Sequence, residues 1–97
     1  MLLEELITIL ESCELGKTVE GFGNPHSYRG IYCELAFEPM TTTIQGMLEA
    51  ARSADGECYR GYKGGAFDMD GSVEVHLAYE GSCGSPITKA LLAEIVW

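Results

Sequence analysis

The chain has 97 residues, with fifteen acids and only six basic residues. Three of those six cations, Arg29, Arg60 and Lys63, fall in two stretches rich in glycine and tyrosine. The first reads Gly21-Phe22-Gly23-Asn24-Pro25-His26-Ser27-Tyr28-Arg29-Gly30, and the second Tyr59-Arg60-Gly61-Tyr62-Lys63-Gly64-Gly65. A guanidinium grips a phosphate or carboxylate bidentately, and an ammonium adds a point charge. Tyrosine offers a flat face for a ring to stack on. Glycine lets backbone N–H groups approach a ligand closely. The residues that could carry such chemistry are Asn24, His26, Ser27, Tyr28 and Arg29 from the first stretch, with Arg60, Tyr62 and Lys63 from the second. In the bland alternative, Asn24-Pro25 is a turn, Arg29 pairs with a glutamate, and Arg60 and Lys63 guard a strand edge.

Other constellations are weaker. His26 and Ser27 are neighbours, whereas a nucleophile and its base normally converge from separate elements. Nothing in the sequence orients Cys33 or Cys83 toward His26 or His76. No catalytic set emerges, so the expectation is a protein without enzymatic activity. The second stretch lacks the GxxxxGK[ST] order of a phosphate loop. Asp68-Met69-Asp70-Gly71 lacks the rest of a calcium loop. Cys13, Cys33, Cys58 and Cys83 include no CxxC or CxxH pair, so neither a metal nor a cofactor is expected. Gly81 to Pro86 leads into a helix, with Ser85 as N-cap and Pro86 as first helical residue. Such a start attracts anions, although most are ordinary capped turns.

The net charge is −9. It argues against direct nucleic-acid binding, which needs a basic footprint. It favours solubility, and it also suits a surface that engages a basic protein. The apolar runs are broken by Glu or Thr and fall far short of the ~20 residues that span a bilayer. The opening MLLEELITIL has no basic leader region and contains Glu4 and Glu5, unlike a signal peptide. A cytoplasmic location is expected.

The elements that must position these residues follow from periodicity. Leu2, Leu3, Leu6, Ile9, Leu10 and Cys13 recur at helical spacing over 2–13. From Lys17 to Gly30 the periodicity vanishes, which predicts a long loop. Residues 31–38 alternate, with Ile31, Cys33, Leu35 and Phe37 on one face and Tyr32, Glu34, Ala36 and Glu38 on the other. Pro39 is expected to end that strand. Thr42 and Gln45 have capping-box spacing ahead of Ile44, Met47, Leu48 and Ala51. Asp55 and Gly56 close that helix. Residues 57–69 read as two short strand pieces, and Asp70-Gly71 as a hairpin turn. Val73, Val75, Leu77 and Tyr79 then alternate with Glu74, His76, Ala78 and Glu80. A last helix carries Ile87, Leu91, Leu92, Ile95 and Val96.

The predicted fold is α+β in a single domain, 1–97, in the order α-β-α-β-β-α. It has about three helices on one face of a mainly antiparallel sheet of three to four strands. Glu34, Glu38, Glu74 and Glu80 would lie on the other face. A core this thin would gain from assembly, so a homo-oligomer is expected.

The blocks Asn24-Pro25-His26-Ser27-Tyr28-Arg29-Gly30, Leu35-Ala36-Phe37-Glu38-Pro39 and Gly61-Tyr62-Lys63-Gly64-Gly65 resemble a family of short tailed-bacteriophage accessory proteins of unassigned function. The resemblance spans about residues 19–96. It extends to Val75-His76-Leu77-Ala78-Tyr79 and a glycine-containing turn into the last helix. It implies a phage origin and action in the host bacterial cytoplasm. Two functions then stand out. One is capture of a small phosphorylated, nucleotide-like ligand, with a counter-defence role. The other is inhibition of a basic host protein, such as a nuclease, by the acidic face. A minor virion or assembly protein is a third.

Overall fold

The computed structural model describes residues 1–27, 34–60, 66–68, 70–78 and 85–97, with the backbone alone described at 26, 27, 34, 58–60 and 66–68. In chain order the elements are α1 (Leu3–Glu11), β1 (Thr18–Ser27), β2 (Glu34–Thr43), α2 (Ile44–Ala54), β3 (Cys58–Arg60), β4 (Ala66–Asp68), β5 (Glu74–Leu77), β6 (Ser85–Pro86) and α3 (Lys89–Val96). The fold is α+β, as the periodicities predict. The expected elements appear in order, with two strands added.

The first addition is β1. Within the segment read as a loop, Thr18–Ser27 form a ten-residue strand, antiparallel to β2 from Thr18↔Thr43 to Ser27↔Leu35, and residues 28–30 lie outside the described residues. It escaped the period-2 test because burial along it does not alternate. Gly21, Phe22 and Gly23 are buried in succession. Two of those three positions have no side chain to report their environment.

β2 runs through Pro39 to Thr43, past the expected stop. The cause is local. The Phe37 carbonyl accepts the Ala78 N–H on the β5 side. By alternation Pro39 turns its missing N–H to that same side, where pairing with β5 has ended. The proline therefore sacrifices no ladder bond, and it sits opposite Phe22.

The main sheet has the order β1-β2-β5-β6 and is mixed. β2 and β5, its two central strands, are parallel, with Leu35↔Val75 and Phe37↔Leu77 in register. The other two pairs, β1–β2 and β5–β6, are antiparallel, so the sheet is mainly antiparallel, as expected, with one parallel pair at its centre. A parallel pair needs a long crossover, and α2 lies within it. The Asp70-Gly71 signal identified a real turn: the Asp70 carboxylate accepts the Ser72 N–H at 2.8 Å. It does not join paired neighbours, however. β4 pairs back onto β3 in a separate two-stranded sheet. The turn abuts α1 instead, where the Gly71 carbonyl accepts the Glu4 N–H at 3.0 Å.

Helix starts lie later than the sequence suggested. The Thr43 hydroxyl, one residue after Thr42, caps α2 by accepting from the Gly46 N–H. Thr42 remains in β2 opposite Val19. Ser85 and Pro86 form β6, and Thr88 caps α3 by accepting from the Leu91 N–H. Ile87 is fully buried ahead of that helix. All three helices share one core with the sheet. Leu3, Leu6 and Leu10 meet Leu35, Phe37, Val75 and Leu77, with Met47, Leu48, Leu92 and Val96 closing it. Phe22 and Phe37 pack as a tilted pair, with 5.1 Å between ring centroids and 51° between their planes.

The other face of the sheet departs from its predicted acidity. Glu38 and Glu74 are exposed, but Ala36 and His76, register partners on adjacent central strands, are buried at 1% and 9% exposure.

Candidate functional site

The first candidate stretch is the distal half of β1 and its connection to β2. Two features shape it. At Gly21 the strand runs so close under α2 that a Cβ there would stand 2.5 Å from the Met47 sulfur. Only glycine permits that approach without displacing Met47. Further along, the register slips between Gly23 and His26: Gly23 faces Glu38, and His26 faces Ala36. Asn24 and Pro25 supply the extra residue of a β-bulge. Asn24 has φ 49°, the left-handed region that asparagine tolerates better than most side chains. Its Nδ2 donates to the Glu38 carboxylate on β2. That link ties the bulge to the neighbouring strand.

Of the predicted site residues, Asn24 is therefore in a strand, exposed, at a bulge. His26 and Ser27 hold register positions opposite Ala36 and Leu35, at the end of β1. Arg60 ends β3 opposite Ala66. Tyr28, Arg29, Tyr62 and Lys63 lie outside the described residues. Residues 28–33 link β1 to β2, and residues 61–65 link β3 to β4, so each stretch belongs to an antiparallel strand pair. The two pairs adjoin, because β3 is in contact with β1.

Lys17, Arg52 and Lys89 are the three basic residues whose side chains the structure describes. Each is engaged within the fold. Lys17 Nζ donates to the Val96 carbonyl at 3.1 Å, tying the start of β1 to the end of α3. Arg52 meets Glu11 at 2.7 Å, joining α2 to α1. Lys89 lies 3.5 Å from Glu5. The side chains of Arg29, Arg60 and Lys63 lie outside the described residues. Sequence reasoning missed the part played by Lys17, which has no local partner pattern. It also missed the Asn24–Glu38 link, which depends on the bulge.

The carboxylates near α1 are stabilised in their charged form. The backbone N–H of Leu2 holds the Glu5 carboxyl below its ordinary range, against some desolvation, and Lys89 helps. The Ser72 hydroxyl and then its N–H do the same for Asp70. Beside the first stretch, Glu20 accepts from the Thr41 hydroxyl at 2.9 Å. Among the described residues, no group of three or more His, Cys, Asp or Glu is gathered so as to hold a metal ion. Cys13 is free and half-buried; Cys33 and Cys83, and the side chain of Cys58, lie outside the described residues. No helix among the described residues is long and apolar enough to cross a membrane.

Compared with protein-family models, with curated proteins and with solved structures, the chain matches none.

Proposed function

We propose that the chain is a non-enzymatic binding domain that captures a small phosphorylated, nucleotide-like ligand at the β1–β2 and β3–β4 connections. Arg29, Arg60 and Lys63 neutralise phosphate. Tyr28 or Tyr62 stacks a base. Asn24, His26 and Ser27 supply polar contacts. The observation that carries this reading is the company these cations keep in the sequence. Arg29, Arg60 and Lys63, half of the six, stand among glycines and tyrosines, the combination a phosphate site needs. Contact between β1 and β3 supports it, since it sets the two stretches on adjoining strand pairs. With the resemblance to phage accessory proteins, the ligand class points to a host defence signal met in the bacterial cytoplasm. A homo-oligomer would complete the enclosure of the ligand.

The test is a thermal-shift screen against cyclic and linear nucleotides, followed by calorimetry on any hit. A ligand at ~100 times its dissociation constant adds about 2.7 kcal/mol of stability. Arg29→Ala and Lys63→Ala should each abolish that shift while leaving the unliganded melting temperature in place. A screen with no hit, or hits indifferent to both substitutions, removes the proposal.

The rival reading, an acidic face docked on a basic host protein, requires a continuous run of glutamates. Buried Ala36 and His76 lie between the Glu34–Glu74 register pair and Glu38, and they interrupt it. Glu74 also lies 3.4 Å from the Met1 ammonium. Neutralising Glu74 as Glu74→Gln should therefore leave function intact, whereas the rival predicts its loss. A virion role would be revealed by the protein in purified particles.

A further inference from the structure

We draw no further inference here: the strongest candidate, the shallow groove lined by Glu4, Glu5, Thr8, Ile9 and Lys89 along α1 and the start of α3, is an acidic cluster whose Glu5 is already held by Leu2 and Lys89, and nothing else in the structure points to a ligand there.

Discussion

Replacing Gly21 by alanine tests the close approach that sets β1 under α2. The added Cβ would stand 2.5 Å from Met47 Sδ, 3.3 Å from Met47 Cε and 3.2 Å from a Val19 methyl. Met47 is fully buried, so its thioether has to find another rotamer inside a packed core. Overpacking of this kind costs about 1–3 kcal/mol. Methionine is the most adaptable core residue, which favours the lower end. A second effect opposes the clash. Gly21 does not have positive φ, so alanine fits its backbone, and restricting the unfolded chain contributes about 0.4–1 kcal/mol of stability. The net expectation is a loss of about 0.5–2 kcal/mol. In a domain of this size, each kcal/mol moves Tm by roughly 4–8 °C. The decisive variant is the double one. Met47→Ala alone should cost about 2–5 kcal/mol through the cavity it leaves. In that background the clash is gone, and Gly21→Ala should become neutral or stabilising. Urea unfolding of the four proteins of this cycle measures the coupling directly. If Gly21→Ala is equally harmful with and without Met47, the close approach is not what glycine provides at this position.

Three further outcomes are expected. Lys17→Met removes a charged donor from the partly buried Val96 carbonyl; urea unfolding should register a loss of about 1.5–3 kcal/mol, and an unchanged midpoint would mean that the contact contributes nothing. Asn24→Ala should cost more than Asn24→Gly, because both lose the bond to Glu38 but alanine also pays about 1–2 kcal/mol for the left-handed backbone; equal midpoints would show that the bulge relaxes instead. The carboxyls of Glu5 and Asp70 are depressed in the folded state. Each therefore contributes stability that is present above the ordinary carboxylate range and lost as pH falls through the folded value. Unfolding midpoints should fall on acidification from about pH 5 downward. Glu5→Gln with Asp70→Asn should flatten that slope, and an identical slope would refute the assignment.

Much of the fold was legible in the sequence because its signals were local. The stripe of Leu3, Leu6 and Leu10, the alternation of Val73, Val75 and Leu77, and the Asp55-Gly56 stop each report their own element. What failed was long-range. Asp70-Gly71 specifies a turn, but not which strands the turn leaves and enters. The sequence therefore suggested a hairpin where β5 in fact pairs with β2. Thr42 and Thr43 are both good caps, and the choice between them is made by pairing of Thr42 with Val19. Ser85-Pro86 has the chemistry of a helix start, yet backbone pairing with Leu77 and His76 takes both residues into a strand. The Glu38 face looked uniformly polar, because nothing in the sequence says that a small Ala36 and a histidine will be covered.

The largest misreading bears on the candidate site itself. Glycines, a proline and mixed polar residues between Gly21 and Gly30 read as loop because each is a poor strand former. The structure places those from Gly21 to Ser27 in a strand. Gly21 admits α2, Phe22 packs against Phe37, and Asn24-Pro25 form a bulge held by Glu38. Features that suggested a free ligand-gripping loop thus have structural work up to Ser27. Asn24 in particular already spends its amide on a carboxylate, so its share in ligand binding would require that link to yield or to be retained as a support. The weight of the proposal moves to the cations and tyrosines of the two connections. Reading β1 as a strand therefore narrows the set of residues proposed to contact a ligand.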